Sequence, residues 1–307
     1  MPKFSLSRSI EINASSENVY RVVRDFKRWT PWSPWILAEP DCALDFADDG
    51  KRYSWEGKII GSGEMKILDD HVNTRIDYEL TFLKPWKSTS AVSFQFAESQ
   101  GATTTTWSMN GSLPFFLFWM KKMMSAMVGM DYQRGLTMLK DYVETGTVPS
   151  KLEFKGEGHF EGSPYIGIRT TCSLDNIGER MVEDFNSLQN VINDNGANPS
   201  GKPFTLYYKF DMVKEIAEYV AAIPVETAPQ DLPSEISFDK MDACKTYQVV
   251  LNGPYSHLGN AWSAGMMHAR SKVFKQAKNI PPFEVYETDP SCTPENDNIT
   301  TVHFPVA

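Results

Sequence analysis

The stretch Pro282–Pro290, PFEVYETDP, holds a single carboxylate inside what its apolar side chains predict to be a buried β-strand. Successive side chains of a strand point to opposite faces, so Phe283 and Val285 share one face and Glu284 and Tyr286 the other. Phe283 and Val285 are expected against the helices. The acid and the phenol beside it finish a core poorly and line a pocket well. A buried carboxylate is costly unless paired, and a ligand's positive charge can supply the pairing. Tyr207 sits in a matching earlier stretch, PFTLY, where phenol faces can hold a cation and phenol hydroxyls can orient it. Tyr255 is placed to cover the mouth of such a cleft, and Trp262 is expected in the core. The ligand-binding set is therefore Glu284, Tyr286, Tyr207 and Tyr255. A second reading stays open beside it: Glu284 satisfied by an internal basic side chain, a backbone donor or solvent, with the tyrosines as ordinary strand aromatics. If the site does chemistry, one acid and several tyrosines suit hydrolysis of a reactive electrophile, with Glu284 as general base or stabiliser of a developing cation.

No other catalytic set is legible. Ser256 and His257 adjoin, but neighbours in a loop rarely present a nucleophile and base in attack geometry. His71, His159, His257, His268 and His303 show no metal-ligand spacing, and Cys42, Cys172, Cys244 and Cys292 form no C-x-x-C pair. Gly61–Gly63 is too short, and too antiparallel in setting, for a phosphate loop. No metal and no cofactor are expected.

The elements that position the acid repeat. Pro203–Tyr207 parallels Pro282–Tyr286, with Thr205 at the place of Glu284; Tyr165 parallels Tyr247, Ile177-Gly178 parallels Leu258-Gly259, and Ile223–Val225 parallels Phe304–Val306. The offset of about 80 residues is that of an internal duplication. Residues from about 157 to 307 read as two copies of strand, helix, strand, strand, in which HFEGSPYIGIRTT is the first strand and PQDLPSEISFDK joins the copies.

The first half differs. FSLSRSIEIN alternates as a strand, Ser15 or Ser16 caps the helix that follows, and Trp29, Trp32 and Trp35 interleave with Pro31 and Pro34 in a rigid aromatic corner. A meander of strands follows, then a long amphipathic helix to Glu144. Its Met120, Met123, Met124, Met127 and Met130 read either as adaptable core or as the forgiving wall of an apolar cavity. Thr145–Glu153 carries Gly146, Pro149 and Ser150 and is the expected linker, giving domains 1–148 and 155–307.

Composition excludes several classes. Of 307 residues, 41% are hydrophobic and 22% charged, as in a globular chain with room for two cores. The net charge of -9 is uneven: residues 1–150 hold 17 basic against 18 acidic groups, and 151–307 hold 13 against 21. An acidic second half repels phosphate backbones, so direct nucleic-acid binding is not expected. The longest apolar run, Leu113–Met120, is far short of the roughly 18 residues needed to span a bilayer. Membrane insertion is not expected, though that run could touch a membrane surface or another chain. With no secretory signal in the opening residues and no paired cysteines, the expected place is the cytoplasm.

The order I-x-I-N-A-S-S-E-x-V-Y, D-F-x-R-W-x-x-W-S-P-W, meander and closing helix Y-Q-R-G-L-x-M-L-K-D-Y-V-E resembles the START-like polyketide cyclase and dehydrase superfamily over about residues 5–145. It implies a helix-grip fold, a curved antiparallel sheet wrapped on the long helix around an apolar cavity. Gly253–Trp262 (GPYSHLGNAW), FEVYETDP and the closing HFPV resemble the GyrI-like effector-binding domain over about 157–307. That implies a pair of βαββ units flanking a cleft for small, often cationic and aromatic molecules. Glu284 falls on that family's central acid and Tyr286 on the aromatic after it. Some standalone members are hydrolases of reactive cyclopropane-bearing compounds; others are fused to DNA-binding modules, of which this chain shows none. The fold class expected is α+β, a helix-grip domain followed by a duplicated βαββ domain. The function expected is small-molecule binding, by sensing or sequestration of apolar or cationic aromatic ligands.

Overall fold

The computed structural model describes residues 3–84, 87–112 and 115–307, and of 115–117 the backbone only. Leu113, Pro114 and the side chains of the next three residues, all in the apolar run noted above, thus lie outside the described residues. The chain divides into two compact units, Met1–Pro149 and Ser150–Ala307.

In the first unit the alternating opening forms β1 (Lys3–Ile12), and Ser15 caps α1 (Ser16–Arg24) by accepting from the Asn18 N–H at 3.4 Å. The meander is β2 (Ala43–Phe46), β3 (Arg52–Glu56), β4 (Ser62–His71), β5 (Arg75–Lys84), β6 (Ser88–Ser99) and β7 (Ala102–Ser112). Together they make an antiparallel sheet ordered β1-β7-β6-β5-β4-β3-β2. The Gly61–Gly63 segment is no loop: Gly61, with φ 73°, closes the turn after β3, and Ser62 and Gly63 open β4, where a Cβ on Gly63 would meet the Trp55 ring. After a 3-10 turn at Phe115–Met120, α2 (Lys121–Thr145) packs along β1 and stops at Gly146, whose φ of 85° suits a left-handed cap.

Aromatic rings fill this interior. Trp29 and Trp32 are essentially inaccessible, Trp29 donates its indole N–H to the Val23 carbonyl at 2.8 Å, and Trp107 stacks on Tyr132 of α2 with centroids 3.9 Å apart. Phe94 also stacks on Trp107, at 4.7 Å. The expected apolar cavity meets a ring-filled core here. Of the methionine face, Met124 packs on that core while Met120, Met123, Met127 and Met130 stay half-buried.

The second unit contains β8 (Lys151–Phe160), β9 (Ser163–Ser173), α3 (Ile177–Asp194), β10 (Phe204–Asp211), β11 (Ile216–Pro224), β12 (Ile236–Met241), β13 (Cys244–Asn252), α4 (Leu258–Arg270), β14 (Phe283–Tyr286) and β15 (Ile299–Pro305). Its sheet runs β12-β9-β11-β10-β14-β15-β13-β8, all antiparallel. Each strand-helix-strand-strand run occupies one half, and the halves meet where β10 pairs with β14. Two details differ from the expected plan. HFEGSPYIGIRTT is two strands, broken at Gly162, whose φ is 74° and whose absent Cβ leaves room for the Met241 carbonyl at 2.6 Å. The joining segment PQDLPSEISFDK supplies β12. Each run thus has a leading strand, and it pairs in the other half: β8 with β13, and β12 with β9.

The faces of β14 are also the reverse of the expectation for its apolar pair. Phe283 and Val285 turn away from the helices into a cluster with Tyr165, Phe204, Leu206, Met241 and Cys244, over which Phe160 closes at 4.8 Å from Phe283. Among the described residues no helix is long and apolar enough to cross a membrane.

Candidate ligand-binding site

Antiparallel register sets Thr205 of β10 directly opposite Glu284 of β14, so the two matching positions of the two halves stand side by side at the centre of the sheet. Parity then turns Tyr207 and Tyr286 to the same face, the one covered by α3 and α4. Glu284 is only 1% exposed. Its Oε1 accepts hydrogen bonds from the hydroxyls of Tyr286 at 2.6 Å and Tyr207 at 2.9 Å, and its Oε2 accepts from the indole N–H of Trp262 at 2.7 Å. A phenol has one proton to give, and Tyr286 gives it to the carboxylate; Thr205, 3.0 Å away, then donates to the phenol oxygen.

The walls come from the helices. Tyr255, in the turn before α4, meets Tyr286 edge-on at 5.8 Å, and Trp262 meets Tyr207 at 4.9 Å. From α3, Phe185 meets Tyr286 edge-on at 5.5 Å, and the Met181 sulfur lies 3.2 Å from the Tyr286 hydroxyl. Tyr207, Tyr255, Trp262, Met181, Phe185 and Tyr286 are all half-buried around an acid that is fully buried. The structure therefore brings the four expected site residues into one constellation. It also moves Trp262 from the expected core to the acid, and adds Thr205, Met181 and Phe185. Thr205 was legible as the counterpart of Glu284; Met181 and Phe185 are four apart on a helix, a spacing that marks a shared face but no partner.

Burial pushes the Glu284 carboxyl above the usual carboxylate range, and its three donors hold it back only in part. Burial, with the Glu284 charge next, drives Tyr207 and Tyr286 well above an ordinary phenol, and burial first and then the same charge push Tyr255 up to about 12. The phenols therefore stay protonated and act as donors.

A second buried acid on this face provides a contrast. Asp184 of α3 accepts from Thr170 at 2.7 Å and Tyr219 at 2.8 Å, and the Arg180 guanidinium stands 3.8 Å from its other oxygen. Asp184 has a basic neighbour. Among the described residues, no basic side chain forms an ion pair with Glu284.

The three buried histidines of this domain each have a hydrogen-bonding neighbour. His257 bonds Ser150 at 2.7 Å; His268 bonds Tyr247 at 2.8 Å and stacks on Phe154; His303 bonds Thr246 at 3.0 Å and stacks on Phe283. Among the described residues no cluster of His, Cys, Asp and Glu could hold a metal ion.

Comparison with known proteins adds the families. Residues 3–144 match the family described as polyketide cyclase / dehydrase and lipid transport, and residues 159–307 match the GyrI-like small molecule binding domain. None of the curated proteins compared matches the chain. Among solved structures, EcmrR in complex with DNA is 17% identical with a TM-score of 0.44, covering 61% of this chain and 68% of that one. The EcmrR C-terminal domain alone is 17% identical with a TM-score of 0.43, covering 52% and 98%. A START superfamily protein from Mycobacterium smegmatis is 19% identical with a TM-score of 0.34, covering 47% and 99%. This chain joins a START-like polyketide cyclase/dehydrase domain, over residues 3–144, to a GyrI-like small-molecule-binding domain, over residues 159–307.

Proposed function

We propose that the GyrI-like domain binds a cationic aromatic small molecule against Glu284, among the rings that α3 and α4 bring over it, and that the chain senses or sequesters such ligands. One observation carries the reading. Glu284 is fully buried and held by three neutral donors, whereas Asp184 on the same face has Arg180 beside it. A desolvated carboxylate without a counter-charge is stabilised most by a guest that brings one. Tyr207, Tyr286, Tyr255 and Trp262 supply the ring faces that favour a flat cation. The acidic balance of residues 151–307 favours cations over phosphates, and in this reading the domain makes no direct contact with nucleic acid and needs no cofactor.

Calorimetric titration of the full chain with N-methylquinolinium and with neutral methylnaphthalene, a pair matched in shape, tests the proposal. Glu284→Gln can keep the local bonds, because its amide oxygen accepts from Trp262 while its NH2 donates to the two phenols. The cation should lose about 2 to 5 kcal/mol and the neutral compound far less. Equal losses, or none for the cation, would falsify the assignment.

A second reading has its own support. An acid raised by burial and bonded to a tyrosine at 2.6 Å is also the equipment of a general base, which fits a hydrolase of reactive electrophiles. Turnover separates the two: ligands recovered unchanged leave binding alone.

A further inference from the structure

One end of the first unit's sheet concentrates both lysines and exposed apolar side chains. Register brings its strand ends together: Lys3 at the start of β1 pairs with Ser112 at the end of β7, Ser88 at the start of β6 pairs with Phe82, and Lys84 at the end of β5 pairs with Ser62. The Phe115–Met120 turn and the start of α2 follow from Ser112 at that same end, and Lys121 lines a shallow groove with Lys3, Thr89 and Asn110. Lys3, Lys84, Lys87, Lys121 and Lys122 are all exposed there. Strands β5, β6 and β7 bring no acid to this end; among the described residues acids reach it from the side of β2 and β3, where Glu56 bonds Lys84 at 3.0 Å, Asp45 lines a groove with Leu83 and Lys84, and Glu39 accepts from the Lys58 N–H in the turn before β4. Amid these lysines Trp119 is 66% exposed, Phe118 60% and Leu83 50%.

We infer that this end docks on the surface of an anionic bilayer, with Trp119 and Phe118 entering the headgroup boundary and the lysines pairing with acidic lipids. Indole and phenyl rings are at home at that boundary, and nearby lysines are drawn to its negative potential. A docked helix start of this kind lies on a membrane and does not cross it. The charge pattern selects this occupant over a second copy of the chain, because a two-fold contact through the patch would set five lysines against five.

Flotation of the full chain with vesicles of phosphatidylcholine alone, and of phosphatidylcholine mixed with phosphatidylglycerol, tests the inference. The chain should float with the mixed vesicles and not with the neutral ones, and salt should weaken the association. Lys121→Gln with Lys122→Gln should lower partitioning about thirtyfold, at about 1 kcal/mol for each lysine near the surface. Phe118→Ser with Trp119→Ser should abolish it even at low salt. Failure to float with mixed vesicles at low salt overturns the inference. So does flotation that neither double variant changes, or a wild-type dimer that Phe118→Ser with Trp119→Ser turns into a monomer, which would make the patch a self-association surface.

Discussion

Replacing Trp262 with Phe isolates one of the bonds that hold Glu284. The phenyl ring keeps contact with Tyr207 and Phe304, and what disappears is the indole N–H that lies 2.7 Å from Oε2. A hydrogen bond to an ionised group contributes about 1.5 to 3 kcal/mol, and this one favours the ionised carboxylate over the neutral acid. At 1.36 kcal/mol per pKa unit, its loss should push Glu284 up by about one to two units beyond its already raised position. Cation binding requires the ionised form, so affinity for N-methylquinolinium should climb with pH and level off once the acid is ionised. In Trp262→Phe that climb should move about one to two pH units higher, while methylnaphthalene binding stays flat with pH in both proteins. Calorimetric titration across a pH series reads both curves. If the variant's cation affinity is lower by the same factor at every pH and the midpoint does not move, Trp262 acts by shape alone and the electrostatic account fails.

Three further outcomes follow from described contacts. Burial holds His303 neutral with its pKa lowered from 6.5 to about 4, so the unfolded chain binds the extra proton and stability falls as pH drops from about 6.5 toward 4, by about 3 kcal/mol in all. Urea unfolding near neutral pH and at about pH 4.5 should show a smaller acid loss in His303→Gln, which keeps a partner for Thr246; identical losses would remove His303 from the account. Gly265 lets α4 settle on the Phe304 ring, which an added Cβ would strike, so Gly265→Ala should cost about 1 to 3 kcal/mol and weaken cation binding by displacing Trp262 one turn away. Unchanged melting with unchanged affinity would contradict that. A fragment starting at Ser150 should fold alone and be more stable, by about 2 to 4 kcal/mol, than one starting at residue 155, which lacks buried Leu152, the Phe154 stack on His268 and the Ser150 bond to His257. Denaturant midpoints of the two fragments decide it, and equal midpoints would show that those contacts contribute nothing.

Much of the site was legible because it rests on period and offset. Alternation alone put Glu284 and Tyr286 on one face, and the repeat placed Tyr207 with them. What alternation cannot say is which face the helices cover. Phe283 and Val285 looked like helix contacts because apolar residues usually seal a helix to a sheet, yet here they face Phe160, brought over them from β8. Trp262 read as core because an indole in a helix is mostly hydrocarbon; the direction of its N–H is set by how closely α4 approaches β15, a packing distance absent from the sequence. In the first half the caps and the tryptophan corner were readable, but Trp107, in a threonine-rich strand, gave no hint that it stacks on Tyr132. The leading strands β8 and β12 were hidden for a related reason: their partners lie in the other half, and no local pattern records a distant pairing.

That exchange of leading strands constrains the order in which the second domain can form as it emerges during synthesis. β8, at Lys151–Phe160, leads the first run, but its partner β13 spans Cys244–Asn252, so β8 has no strand to pair with until about two-thirds of the domain has been made. The first run also lacks its outer strand until β12 arrives, since β9 takes that strand from the segment after β11. Neither half can finish its sheet early. Closing such long loops is slow, and a partly made chain presents open strand edges meanwhile. The arrangement also means that Thr205 and Glu284 come together late, so the buried acid meets its donors only when both halves are in place.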